Sequence, residues 1–275
     1  MLALGTGCHA SALTRLTDAR QLAAELLVHL TTAADATDRA VMAITDEASA
    51  AFAHEAEQQS GTIQRDADEL ERVLKELHYS DELKLLAQFR QVFAKYQTLD
   101  REILGLSVEN TNLKAQRLSF GAAQEAADAM RDALGAVEHA PAKELWHARA
   151  LAADAQLAVR EMQALQAPHI AASEDAQMTA LESRMTAAEA RASSALDALA
   201  AMPGSALQPA VRVARADLSR FLRVHDQILK LSRRNSNVRS LALALGQEHD
   251  LTALCESRIE ALRDGLAARG FRGTR

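Results

Sequence analysis

Residues 99–121 read LDREILGLSVENTNLKAQRLSFG, and residues 224–246 repeat this segment as VHDQILKLSRRNSNVRSLALALG. The offset between the two copies is constant at 125 residues. The identical pairs are Ile103/Ile228, Leu104/Leu229, Leu106/Leu231, Ser107/Ser232, Asn110/Asn235, Asn112/Asn237, Leu118/Leu243 and Gly121/Gly246. An internal repeat of this length indicates that the chain consists of two related halves.

Apolar residues recur through both copies in alternating steps of three and four, which is typical of a helix face that packs along other helices. The same steps place Asn110 and Arg117 on the apolar face in the first copy, and Asn235 in the second. A buried amide without a hydrogen-bond partner costs about 1–3 kcal/mol, so each asparagine must find one. Two interpretations stay open: the asparagines fix the register of packed helices, or they form a polar layer that binds a small molecule.

Composition predicts a nearly all-helical protein. Of the 275 residues, 48% are hydrophobic and only 3% aromatic, with 11 Gly and 4 Pro, and no alternating Val/Ile/Thr/Tyr run predicts a strand. The net charge of -6 argues against a nucleic-acid partner, because a phosphate-binding groove is normally basic and rich in stacking aromatic residues. No apolar run reaches the roughly 18 residues of a membrane-spanning helix.

The cysteines predict neither a metal site nor a cofactor. Cys8 and Cys255 lie far apart, and no CxxC or CxxCH motif is present. Residues 1–10 are expected to be a disordered lead-in or the remnant of an export signal. If an export signal precedes Met1, Cys8 is a candidate for a lipid anchor.

Turn signals divide the chain into four predicted helices, at residues 11–77, 82–136, 141–202 and 207–268, followed by a frayed tail at 269–275. Pro168 lies inside the third, where it either kinks the helix or precedes a fresh start near Ser173. Short connections favour an all-α, elongated, antiparallel up-down-up-down four-helix bundle over 11–268. Its duplicated hairpins are 11–136 and 141–268, and Asn110 and Asn235 are expected at one level of the core.

The long helices, the segment TDRAVMAITDEASAAF at 37–52 and the repeated segment together resemble the four-helix-bundle sensory module of bacterial chemoreceptors and sensor kinases. The resemblance implies a periplasmic or otherwise extracytoplasmic location and a role in chemotaxis or signal transduction. It also implies that a small organic acid or amino acid binds between helices, often through arginines. A related family stacks two helical bundles in one module, and the length of this chain suits that design as well.

The candidate ligand-binding residues follow from the repeat and from the affinity of arginine for carboxylates. They are Asn110, Arg117 and Asn235 on the apolar face, with Arg101, Asn112, Asn237 and Arg239 beside it. Catalysis is not predicted. Glu144 and His147 match one Glu-x-x-His pair of a di-iron bundle, but such a site needs two pairs and two further carboxylates, and no second pair exists.

The leading hypothesis is therefore a non-enzymatic sensory module that binds a small molecule between its helices. The alternative is a structural or scaffolding bundle that contacts a second copy of the chain or a helical partner protein. A third hypothesis, a di-iron enzyme, requires bound metal.

Overall fold

The computed structural model describes residues 6–138, 146–202 and 207–271. All regular structure in these residues is helical, which confirms the predicted all-α class. The α-helices are α1 (Thr6–Met42), α2 (Asp46–Glu76), α3 (Ser80–Glu109), α4 (Thr111–Leu118), α5 (Gln124–Glu138), α6 (Trp146–Ala171), α7 (Asp175–Ala201), α8 (Gln208–Arg234), α9 (Ser236–Leu243) and α10 (His249–Phe271). Two π turns, Ser119–Ala123 and Ala244–Glu248, precede α5 and α10.

The prediction of four long helices is wrong, because the described residues form six: α3 to α5 follow one another without a loop, as do α8 to α10. The predicted first helix is an antiparallel pair, α1 and α2, which is broken at residues 43–45. Thr45 adopts an extended conformation, and its hydroxyl accepts a hydrogen bond from the Ala48 amide at 3.1 Å, capping α2. The segment 37–52, which contributed to the chemoreceptor resemblance, therefore contains this turn.

The predicted third helix is also an antiparallel pair, α6 and α7. Pro168 is accommodated near the carboxyl end of α6, which continues to Ala171. Glu174 is extended, and α7 begins at Asp175. Of the two alternatives for Pro168, the fresh start near Ser173 is the one observed.

Contacts divide the chain into two compact units. Unit 1 comprises Met1–Glu109 and Arg239–Arg275, so that α1, α2 and α3 pack with α10. Its core contains a stacked series of rings, Phe89, Phe93 and Tyr96, with centroid separations of 5.4 and 5.8 Å. Around these rings lie leucine and isoleucine side chains, together with the buried thiol of Cys255.

Unit 2 is the continuous segment Asn110–Val238, in which α5, α6, α7 and α8 pack around one core. Alanine dominates its helix contacts, with larger side chains such as Met130, Met162 and Phe221 between them. Small side chains allow helix backbones to approach closely, and the larger ones fill the remaining space. Each unit thus combines three helices from one half of the chain with the last helix of the other half.

Some predicted features fall partly or wholly outside the described residues. Residues 1–5 of the predicted lead-in, residues 272–275 of the tail and Glu144 are among them. The remaining lead-in residues belong to α1, and α10 continues to Phe271. Among the described helices, none has both the length and the apolar character needed to cross a lipid bilayer.

Candidate functional site

The two repeated asparagines interrupt their helices in the same way. Asn110, between α3 and α4, has φ 50° and ψ 37°, and Asn235, between α8 and α9, has φ 54° and ψ 37°. Both are left-handed conformations, which asparagine tolerates better than most non-glycine residues. Each side chain is buried, with 0% of Asn110 and 6% of Asn235 exposed, so the prediction that both amides face inward is confirmed.

The four asparagines Asn110, Asn112, Asn235 and Asn237 form a nearly symmetric hydrogen-bonded cluster in unit 2, which we call the asparagine junction. The backbone amide of Asn112 donates to Oδ1 of Asn237 at 3.1 Å, and the amide of Asn237 donates to Oδ1 of Asn112 at 3.2 Å. Nδ2 of Asn112 donates to Oδ1 of Asn235 at 2.8 Å, and Nδ2 of Asn237 donates to Oδ1 of Asn110 at 2.9 Å. The repeat therefore brings its own copies into contact.

Threonine and serine extend this symmetry. The backbone amide of Thr111 donates to Oγ of Ser236 at 3.1 Å, and the amide of Ser236 donates to Oγ1 of Thr111 at 3.0 Å. The first amides of a helix lack partners within that helix. Each short helix, α4 and α9, is therefore capped by side chains from the other copy.

The junction departs from symmetry where it meets the end of α6. Nδ2 of Asn112 also donates to the Ile170 carbonyl at 2.7 Å, and Nδ2 of Asn235 donates to the Ala172 carbonyl at 2.9 Å. These bonds satisfy carbonyls that a helix end leaves open. Within the described residues, Nδ2 of Asn110 has no hydrogen-bond partner. Apart from this one group, the hydrogen bonds described above account for the buried amides as structural elements.

The predicted arginines do not belong to the asparagine junction. Arg117 is exposed on α4, and Arg239 is exposed on α9. Arg101 is also exposed, and its Nε donates to the Gln97 carbonyl at 3.0 Å. The prediction that Arg117 lies on the inward face is wrong, because the left-handed residue at position 110 changes the phase of the helix that follows.

Sequence periodicity missed a second polar site, which lies in unit 1 beside the second π turn. A cavity of about 280 Å³ opens there between α1 and α10. Its lining residues are Ala34, Asp38, Ala244, Leu245, Glu248, His249 and Thr252. We call it the acidic cavity, since its lining contains the carboxyl groups of Asp38 and Glu248. Asp38, Leu245 and His249 are exposed, whereas Glu248 is only 3% exposed.

Glu248 is buried, and the Tyr96 hydroxyl lies beside its carboxyl group. Within the described part of the chain, neither of its carboxyl oxygens has a hydrogen-bond partner. Burial raises the pKa of Glu248 to about 8, and the nearby carboxyl groups of Asp100 and Asp38 raise it further. The Tyr96 hydroxyl lowers this pKa by a smaller amount. The group is therefore largely protonated at neutral pH.

Further buried polar groups lie behind Glu248. Asp100 is 2% exposed, and its Oδ1 accepts a hydrogen bond from the Thr37 hydroxyl at 2.7 Å. Burial raises the pKa of Asp100 to about 6, although the bond from Thr37 opposes this shift. Tyr96 is fully buried, and burial raises its pKa as well. Its hydroxyl has no well-formed hydrogen bond to any described residue.

The repeat provides an internal comparison for this site. At the 125-residue offset, Glu248 corresponds to Ala123, Asp100 to His225 and Tyr96 to Phe221. The first π turn in unit 2 lies beside a neutral network instead. There Ser119 donates to Oε1 of Gln166 at 2.6 Å, and Nε2 of Gln166 lies 3.0 Å from Nδ1 of His225.

These polar groups in unit 2 satisfy one another, whereas in unit 1 Asp100 is bonded to Thr37 and Glu248 lacks a well-formed hydrogen bond. The signal available in the sequence was this difference between the copies, rather than the identities that define the repeat.

Comparisons with protein-family models, with curated proteins and with solved structures give no match for this chain. In the described residues, no group of three or more His, Cys, Asp or Glu side chains is arranged to hold a metal ion.

Proposed function

We propose that this chain is a non-enzymatic, ligand-binding helical module of the sensory kind, and that its ligand occupies the acidic cavity of unit 1. The observation that carries the proposal is Glu248, which lines the cavity while both of its buried carboxyl oxygens lack partners. A buried polar group without a hydrogen bond costs a few kcal/mol of stability. Such groups with shifted pKa values are enriched at functional sites.

The neutral network in unit 2 supports this assignment. The same helical framework satisfies its buried polar groups with Ser119, Gln166 and His225. The unsatisfied carboxyl is therefore not a requirement of the framework. A bound molecule that supplies hydrogen-bond donors accounts for its presence in unit 1.

The test is a thermal-shift screen of the whole chain against organic acids, amino acids and amines. A ligand at 100 times its Kd adds about 2.7 kcal/mol of stability. That increment raises Tm by several degrees for a protein of this size. We expect at least one compound to raise Tm for the wild type and for Asp250→Asn, an exposed carboxyl two residues away. The shift should be lost in Glu248→Gln.

If every compound fails, or if the shift persists in Glu248→Gln, the proposed site is wrong.

The second candidate function is a structural or scaffolding module, which the asparagine junction favours because its bonds are made within the chain. This function predicts association with a second copy or with a helical partner. Light scattering over a wide concentration range separates the two candidates, because a ligand-binding monomer keeps a constant mass. The extracytoplasmic location and a lipid anchor at Cys8 likewise stay proposals, which cell fractionation and mass spectrometry would test.

A further inference from the structure

The chemistry of the acidic cavity restricts the class of ligand, an inference that rests on the proposed function above. We propose that the ligand is a small organic cation whose ammonium group binds between Glu248 and Asp38. An ammonium group offers three N–H donors and no acceptor. The two buried carboxyl oxygens of Glu248 lack a well-formed hydrogen bond, although the Tyr96 hydroxyl lies nearby. Asp38 adds a second carboxyl group at the exposed side of the cavity.

Charge favours a cation over an anion. The described residues that line the cavity include two carboxyl groups and one imidazole, that of His249, and neither lysine nor arginine. An anionic ligand would face Asp38 and Glu248, with the His249 imidazole as the one basic side chain among these lining residues. An ammonium group instead pairs with Glu248, and a buried charge is tolerated only when it is paired and hydrogen-bonded.

The size and walls of the cavity indicate the rest of the ligand. A volume of about 280 Å³ lies just below the usual range for small-molecule pockets, which begins at ~300 Å³, so the ligand is small. Ala34, Ala244 and Leu245 provide an apolar wall for a short carbon chain or a small ring. The Thr252 hydroxyl is an additional hydrogen-bonding group.

Binding a cation also requires Glu248 to lose its proton. The titratable groups around it are Asp38 on α1, Tyr96 and Asp100 on α3, and His249 at the start of α10. Because burial and the neighbouring carboxyls favour the protonated form of Glu248, the free protein holds this proton near neutral pH. An arriving ammonium group favours the carboxylate, so the proton moves from Glu248 to the solvent.

The experiment uses matched probes of equal shape and different charge on the whole chain: n-butylamine, 1-butanol and butyrate, with putrescine and histamine as larger amines. We expect the amines to raise Tm, and the alcohol and the acid to have no effect. Glu248→Gln should abolish the amine effect, Asp38→Asn should weaken it about tenfold in apparent Kd, and Asp250→Asn should leave it unchanged. Calorimetry near pH 7 in buffers of different ionisation enthalpy should then report release of close to one proton.

The outcomes separate this inference from the proposed function. If an alcohol or an acid stabilises the wild type but not Glu248→Gln, the cavity binds a ligand and the cation assignment is wrong. Amine stabilisation that survives in both Glu248→Gln and Asp38→Asn also overturns the assignment. If neither these probes nor the broader screen stabilises the wild type, the cation assignment and the proposed function are both wrong.

Discussion

Glu248 places a carboxyl group in the core of unit 1 with only 3% of its surface exposed, and this has a consequence for stability. The pKa of Glu248 is about 8 in the folded protein, against an ordinary value of 4.5. Between these values the folded protein keeps a proton that the unfolded chain has lost, so unfolding releases it and rising pH favours unfolding. We expect the contribution of Glu248 to be full below pH 4.5 and lost as pH rises through about 8.

The loss should amount to several kcal/mol, because each tenfold change in proton affinity corresponds to about 1.4 kcal/mol. Urea unfolding from pH 4 to 9 measures this loss of stability. Glu248→Gln should remove most of the decline in the free energy of unfolding on the alkaline side. Glu82 provides a control of opposite sign, since its bonds from Arg269 at 2.7 and 2.9 Å lower its pKa. Glu82→Gln should lower stability by a constant amount at neutral and alkaline pH, because the ion pair with Arg269 is lost, and should leave the alkaline decline unchanged. An unchanged alkaline decline in Glu248→Gln would contradict the account.

At the level of the element, the left-handed residues Asn110 and Asn235 interrupt the two long helical runs of the chain. At Asn235, glycine adopts φ 54° without strain, whereas alanine costs about 1–2 kcal/mol. Both substitutions remove the same side-chain bonds. We therefore expect Asn235→Ala to be less stable than Asn235→Gly by about 1 kcal/mol, and the same order at Asn110, measured by chemical denaturation.

Asn237 is the matched control, because it lies within α9, where the backbone is helical. There alanine is favoured over glycine by up to about 1 kcal/mol, so the order of the two variants should reverse. If the glycine variant is the more stable one at both positions 235 and 237, backbone conformation does not determine the difference in stability.

These interruptions also explain how far the sequence could predict the helices. Thr45, followed by two acidic residues, is a readable capping signal, and the continuous apolar pattern around it obscured the break. The left-handed turn at Asn110 carries no comparable signal, because a period of three and four assumes an unbroken helix. Its consequence is that Arg117, which was expected to face inward, is exposed. The burial of Asn110 itself was predictable, because it precedes the change of phase.

At the level of the whole molecule, the repeat predicted duplicated helices but not which helices share a core. Periodicity shows which face of a helix is apolar and leaves its partner undetermined. Cys255, Ile259 and Leu262 on α10 were recognisable as an apolar face, yet they pack in unit 1 with helices from the other half. The apolar period did not predict the burial of Glu248, which lies in the second π turn, and only the difference between the copies marked this position.

This division predicts unequal behaviour of fragments. Unit 2 is one continuous segment, 110–238, that contains all four of its core helices, so we expect this fragment to fold alone with a cooperative thermal transition. The fragment 1–109 lacks α10, whose residues Ile259, Leu262 and Leu266 are fully buried. By circular dichroism, we expect the 1–109 fragment to be less helical and to unfold at a much lower temperature than the 110–238 fragment.

Adding a peptide of residues 239–275 should restore helicity and raise Tm of the 1–109 fragment, because the peptide returns the fourth helix to the core of unit 1. The matched control is the same peptide carrying Ile259→Asp and Leu262→Asp, which cannot bury this face. A charged side chain without a partner costs several kcal/mol in an apolar core, so the control peptide should have no effect. Equal rescue by both peptides, or an unfolded 110–238 fragment, would show that the division into units does not describe how the chain folds.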